Sequence, residues 1–283
     1  MTTPTLAVAT EFGRLYRRPH VDPFALPAAR EALSAGLLMP SVTNVIDVLD
    51  KPHLNGWYAR EAAAAAVEVE EKHPGLIAAK PAAAKEYLAG AAERKAAAAG
   101  ELGDTVHNAA ETIADGGEVE LDDTAAPYIA SWRAFVADHG VTFLRQEATC
   151  FGRVRTAAGK ILDYAGTADA IVRIGGKVYI LDYKTGRSLH TEAGLQLVAL
   201  SRADEVVTVD GDGVEPMPHI DGAIAVHLTA DGYVVRPVAS EDRAWATFSL
   251  LREVWDFHAE NMVSRSPLLL GAAWARPSAE AAA

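Results

Sequence analysis

Apolar and polar positions change their period midway along the chain. Up to Gly140 the apolar residues fall at helical spacing within alanine-rich stretches, and beyond it they alternate. Pro27 to Leu38 predicts a short helix, and Ser41 or Thr43 is placed to cap another running through Leu49. Trp57 to Lys72, Ala82 to Ala99 and Glu101 to Asp115 are strongly helix-favouring, with Gly116-Gly117 ending the third. Pro127 to Asp138 predicts a further helix, closed by Gly140. The start of the chain carries Pro4, Pro19 and Pro23 without a clean period and reads as an arm or a loosely packed segment.

From Phe143 to Asp182 the chain alternates, is rich in Val, Ile, Thr and Tyr, and is cut by Ala157-Ala158-Gly159 and Gly175-Gly176. That pattern predicts a three-stranded antiparallel meander. A helix from Leu189 to Ala203 follows, then an acidic, glycine-rich excursion from Asp204 to Asp221. Gly222 to Leu228 and Tyr233 to Val238 read as a hairpin turning at Asp231-Gly232. A long amphipathic helix from Glu241 to Met262 comes next, and the alanine-rich tail reads as disordered. The expectation is an α/β protein with a helical region over 1–100, a core over 101–265 and a tail over 266–283.

Bulk composition narrows the class. The 283 residues are 50% hydrophobic and 23% charged, as in ordinary globular proteins. No apolar run reaches the roughly 18 residues of a membrane span, and the start lacks the order of a secretion signal. The expectation is a cytoplasmic location, in a host cytoplasm if the chain is phage-encoded, with no membrane partner. The single cysteine, Cys150, excludes an internal disulfide and any site built from several thiolates, so no iron–sulfur cluster is expected. Cys150 itself reads as a small core residue. The net charge of −12 argues mildly against nucleic acid, although net charge describes long-range steering rather than a local site.

The most informative stretch runs from Gly166 to Thr185. With Gly175-Gly176 as a two-residue loop, Ile174 pairs with Lys177, and counting back sets Asp169 opposite Asp182. Their Cβ atoms would lie about 4.5–5.5 Å apart. Lys184 shares the face of Asp182, and Tyr183 points the other way. Opposed acids on a half-buried face repel, and a divalent cation such as Mg²⁺ is the simplest compensation. Carboxylates, a hard cation and a nearby amine suit attack of water on a phosphodiester. An exposed hairpin end with solvated charges is the bland alternative. Glu147 lands beside Asp169 if the preceding hairpin pairs Thr156 with Lys160, whereas a slip of one residue sends it to the other face.

Gly166-Thr167-Ala168-Asp169 and Asp182-Tyr183-Lys184-Thr185 resemble two motifs of the PD-(D/E)XK nuclease superfamily, in its RecB-like branch, which includes CRISPR-associated exonucleases. Gly103, His107 and Glu111 match that branch's upstream helix motif and share one helix face. Gln196-Leu197 matches its downstream motif, but Leu200 stands where a tyrosine is common. The resemblance covers roughly Glu101 to Val238 and implies a restriction-endonuclease-like core, a mixed sheet flanked by helices. It also implies that Asp169, Asp182, the Tyr183 carbonyl and His107 hold Mg²⁺ or Mn²⁺, that Lys184 positions water, and that Gln196 orients the lysine or a phosphate.

The expected activity is therefore a metal-dependent deoxyribonuclease, an exonuclease of recombination, repair or phage DNA metabolism, with a recombination or helicase protein as a further partner. Arg145, Arg153, Arg155 and Arg187 are candidate contacts to the DNA backbone, and Arg14, Arg17 and Arg18 a second cluster. Two other classes remain: an inactive nuclease-fold module binding DNA ends or a partner protein, and an acidic scaffold using its alanine-rich helices.

Overall fold

A computed structural model describes residues 6–263 of the chain. The expected tail over 266–283 lies outside the described residues. The first departure from expectation comes at the start. Where an arm was anticipated, β1 (Ala7–Thr10) and β2 (Gly13–Arg17) form a hairpin, and β2 also pairs with β3 (Leu38–Pro40). These strands are too short to show a period, yet Leu15 and Tyr16 are buried. Between them α1 spans Ala29–Ser34, and α2 (Val42–Ile46) follows with the Ser41 side chain accepting from the Asn44 N–H.

The helical region comprises α3 (Pro52–Lys72), α4 (Leu76–Ala79), α5 (Pro81–Ala89) and α6 (Ala91–Ala114). The expected helix boundary before Glu101 is absent. α6 runs through Gly100, and the break falls at Gly90 instead. A lone glycine inside a helix costs only about 1 kcal/mol, which the packing of α6 on the core outweighs. The anticipated boundary between 100 and 101 thus falls inside one continuous helix. α7 (Ala126–His139) ends at Gly140, whose left-handed backbone forms its C-cap.

The meander is present as β4 (Thr142–Arg155), β5 (Ile161–Ile174) and β6 (Lys177–Lys184). Next come α8 (Thr191–Ser201), β7 (Glu205–Val207), β8 (Val214–Pro216), β9 (Gly222–Thr229), β10 (Gly232–Pro237) and α9 (Glu241–Phe257). The sheet order is β10-β9-β6-β5-β4-β7-β8, with β9 parallel to β6 and the other neighbours antiparallel. The acidic excursion is therefore not a loose loop, since its two strands extend the sheet beyond β4.

Helices cover both faces. Val42, Val45 and Ile46 of α2, Leu197 and Leu200 of α8, and Phe248 and Trp255 of α9 pack with Ile171 and Ile180. On the other face, Val106, Ala109 and Ala110 of α6 and Ile129, Trp132 and Phe135 of α7 pack with Val172, Leu181 and Tyr183. This α/β arrangement, a mixed seven-stranded sheet between helical layers, is consistent with the expected restriction-endonuclease-like core. No helix among the described residues is long and apolar enough to cross a membrane.

Candidate active site

The site lies where β5 and β6 part. Their ladder follows the register expected from the Gly-Gly loop, from Ile174↔Lys177 to Ala170↔Leu181, and the next residues along are Asp169 and Asp182. Strict alternation fails there. Ala168 packs with the α8–α9 layer, but Ala170, two residues on, packs with the α6–α7 layer. Asp169 sits at this reversal, so its carboxylate meets groups from both strands and from α6. The Tyr183 N–H donates to Asp169 Oδ2 at 2.5 Å, so a side-chain oxygen takes the place of a strand carbonyl. β6 continues beside β9, pairing Asp182 with Ala225 and Lys184 with His227.

Asp182 and Lys184 share a face as alternation requires, with Lys184 Nζ 2.5 Å from Asp182 Oδ2. Asp182 is 2% exposed, and its Oδ2 accepts no hydrogen bond of good geometry. Burial and then the charge of Asp169 push its carboxyl up to about 6, against the opposing pull of Lys184.

The helix stripe crosses the strands in turn. A Cβ on Gly103 would stand 3.4 Å from Thr185 Oγ1, just past the end of β6. One turn on, His107 Nδ1 is 3.3 Å from Asp169 Oδ1 on β5. Another turn on, Glu111 is close enough to Glu147 on β4 to disfavour its ionisation. Finally Asp115, which follows α6, accepts from Gln146 Nε2 at 2.5 Å. Residues four apart rise about 6 Å along a helix, comparable with the spacing of neighbouring strands. This match lets one helix face address three strands.

Glu147 joins the site through its backbone. The hairpin pairs Thr156 with Lys160, and the ladder brings Ala148 opposite Ala168, so the register that sets Glu147 beside Asp169 is the observed one. Glu147 itself adopts φ +44°, a left-handed conformation rare for a non-glycine residue in a strand. Such strain costs on the order of 1–3 kcal/mol and concentrates at functional sites. Ligand atoms of His107, Glu147 and Asp169 all lie within 4.8 Å of one another. Glu147 is exposed as a residue, but desolvation around its carboxylate, then Asp169 and Glu111, push that group up to about 7. For His107, burial opposes protonation, while the hydrogen bond and charge of Asp169, helped by Asp182, outweigh it and raise the pKa.

The donor set suits a divalent cation. The carboxylates of Glu147 and Asp169 converge with the His107 imidazole, and the buried Asp182 beside them is paired with the Lys184 ammonium. Oxygen-rich ligation with one imidazole fits Mn²⁺ and Mg²⁺ better than a thiolate-seeking metal.

The other expected residues fall in different places. Tyr183 buries its ring against Trp132, with centroids 6.5 Å apart, and its edge meets the His107 ring at 5.9 Å. Gln196 is half-buried on α8, which packs beside β6. Arg145 is committed to an ion pair with Glu215. Arg153 pairs with Asp204, and Arg155 leans on the Gly159 carbonyl. Both lie six or more residues beyond Glu147 on β4, roughly 20 Å or more away. Only Arg187, exposed in the loop after Lys184, adjoins the site. The second basic cluster does structural work: Arg17 Nη1 donates to three loop carbonyls, and Arg18 pairs with Glu205 over the Phe151 ring.

Two contributions were missed from sequence. His227 Nε2 lies 2.6 Å from the Gly186 carbonyl and fastens the loop after Lys184. A cavity of about 540 Å³ opens beside Glu147, lined by Glu111, Asp115, Gln146 and Val209 among others. The His227 contact depends on the parallel β6–β9 pairing, for which no local signal exists.

No family model matches the chain, and no curated protein matches it. Among solved structures it is similar to SSO0001, over 51% of this chain and 68% of that one, at 18% identity and a TM-score of 0.29.

Proposed function

We propose that this chain is a divalent-metal-dependent deoxyribonuclease of the PD-(D/E)XK type, working as an exonuclease on DNA. The observation that carries the reading is the convergence of His107, Glu147 and Asp169 beside the buried Asp182–Lys184 pair, at the point where two strands separate. Supporting it, residues that resemble the RecB-like motifs, His107 on α6, Asp169 on β5 and Asp182 and Lys184 on β6, lie around this point, with Gln196 on α8 beside β6.

Asp169, Asp182 and His107 would hold Mg²⁺ or Mn²⁺, with Glu147 as a further ligand and the Tyr183 carbonyl at the same strand edge. A cation there supplies Lewis-acid stabilisation of charge developing on the phosphoryl oxygens. The chain's own groups do the rest. Lys184 extends from the buried Asp182 towards solvent, where its ammonium can donate to the attacking water or to a phosphate oxygen. Asp169 is held by the Tyr183 N–H and by His107, so its carboxylate is oriented before substrate arrives. Water adds to phosphorus, the P–O ester bond breaks, and one fragment leaves as an alcohol while the other keeps the phosphate.

The test is digestion of end-labelled linear and circular DNA with Mg²⁺, Mn²⁺ or EDTA. Linear DNA is expected to be degraded only with metal, circular DNA to persist, and Lys184→Ala and Asp169→Asn to lose the activity. Parent-like digestion by those variants would remove the site assignment, and no metal-dependent digestion would remove the activity.

A further inference from the structure

Gln146 and Ala148 lie two residues apart on β4 but face opposite layers. Gln146 Nε2 donates to Asp115 Oδ1 at the end of α6, whereas Ala148 packs with the α8–α9 layer. Residues two apart on a regular strand share a face, so Glu147 between them must absorb the reversal. It does so through its left-handed backbone, φ +44°, alongside the matching reversal at Asp169 on β5.

Two forces act to undo that conformation. A left-handed backbone is unfavourable for a glutamate and persists only where its surroundings hold it. The carboxylate is also repelled by Asp169 and Glu111. Both are relieved if Glu147 returns to an extended conformation and swings away from His107 and Asp169. The hold on the Gln146 side is firm. The Asp115 N–H donates to the Glu111 carbonyl at 3.0 Å, and those of Gly116 and Gly117 close onto Ile113 and Thr112. Gly116, at φ +82°, supplies the left-handed residue that such a helix end uses. A carboxylate at a helix C-terminus opposes the dipole, so Asp115 is not placed there for the stability of α6. Its bond from Gln146, at 2.5 Å, ties the helix that carries His107 to the residue before Glu147.

From this geometry we infer that Asp115 and Gln146 are positioning residues for the metal site. Their hydrogen bond holds the reversal at Glu147 and keeps its carboxylate beside His107 and Asp169 before a cation arrives. Their role rests on the metal-site reading above, not on cleavage of DNA. Without the tie, a cation has to draw Glu147 back against strain and repulsion. Apparent affinity then falls in proportion to the fraction of molecules already in place.

The test is Mn²⁺ binding to the full chain without DNA, followed by the electron paramagnetic resonance signal of the free ion. Gln146→Leu and Asp115→Ala are expected to weaken binding about ten- to hundredfold, the range for groups that orient metal ligands. Asp115→Asn removes the same charge but keeps an acceptor oxygen, and is expected to bind as the parent does. In a Glu147→Gln background, Gln146→Leu is expected to cost nothing further, because it acts through Glu147. Metal-free melting temperatures should stay close to the parent's, since strain is released as the bond is lost. Equal losses in Asp115→Asn and Asp115→Ala overturn the inference, because they assign the effect to charge. So does parent-like affinity in Gln146→Leu, or an undiminished loss in the Glu147→Gln background. A parent that binds no Mn²⁺ removes the metal site and the clasp together, whereas Mn²⁺ binding without digestion of DNA removes the nuclease and leaves the clasp.

Discussion

Asp182→Asn should make the metal-free protein more stable while abolishing the proposed cleavage of DNA. The carboxyl is 2% exposed and shifted from 3.8 to about 6, chiefly by burial and then by Asp169. Each unit corresponds to 1.36 kcal/mol, so at pH 8 the ionised group opposes folding by roughly 3 kcal/mol. Asparagine has the same shape and carries no charge. Its amide oxygen can still face the Lys184 ammonium, though it returns less than a carboxylate would. Allowing about 1–2 kcal/mol for that weaker contact leaves a net gain of about 1–2 kcal/mol.

The pH dependence follows with a definite sign. A carboxyl whose pKa is raised on folding binds more protons in the native than in the unfolded state between the two values. Stability therefore falls as pH climbs from about 4 to above 6. Urea titrations of parent and Asp182→Asn in EDTA should differ most at pH 8, and the difference should shrink as pH falls through about 6 towards 4, where the carboxyl becomes protonated in both states. Adding Mn²⁺ should stabilise the parent, because the cation binds only the folded site, and should do so far less for the variant. An Asp182→Asn protein less stable than the parent at pH 8 in EDTA would refute the reasoning, since it would show that Lys184 more than offsets the cost of burying that charge.

Lys184→Met should destabilise the metal-free protein by about 1–3 kcal/mol at pH 8, because it leaves a buried carboxylate without its counter-charge, and the loss should shrink at pH 5; thermal melts at both pH values check this. Gly103→Ala should raise the melting temperature slightly, by helix propensity of up to about 1 kcal/mol, since its Cβ meets Thr185 at ordinary contact distance, whereas Gly103→Leu should push α6 off that loop and reduce cleavage more than stability. Cys150 is fully buried with its thiol pushed up to about 12, so a thiol-specific disulfide reagent should label it only at the rate of unfolding, with immediate labelling in native buffer contradicting its burial.

What was legible in the sequence was what a short turn dictates. Gly175-Gly176 set the pairing of β5 with β6, so Asp169 and Asp182 could be placed together by counting, whereas Glu147 joined them under only one of two registers, the one in which Thr156 pairs with Lys160. Cys150 and the Gly140 cap followed from equally local chemistry. Long-range pairing was not legible. β2 meets β3 across an intervening helix, β9 joins β6 in parallel after α8 and two short strands, and strands of three to five residues carry too few positions to display a period. Basic residues misled for a related reason: whether an arginine is free or paired depends on which acid a distant loop delivers, as Glu215 does for Arg145 and Glu205 for Arg18.

Simple alternation also fell short at the residues that matter most. Perfect pleating would have placed Asp169 and Asp182 in an unbroken ladder, each with backbone partners and little room for anything else. Instead the ladder stops one residue early, Glu147 turns through a left-handed conformation, and a carboxylate occupies the position of a strand carbonyl. Each of these irregularities weakens the sheet locally, and all of them fall within the span crossed by Gly103, His107 and Glu111 on α6. A helix packed across three strands can hold such distortions because its own hydrogen bonds are complete and its buried face, Val106, Ala109 and Ala110, is anchored in the core. The same helix, continued towards Lys95, meets α3 through the Glu61–Lys95 ion pair. The distortion of the sheet and the length of α6 therefore belong to one design, in which the sheet opens to expose carboxylates and the helix both braces the opening and reaches past it.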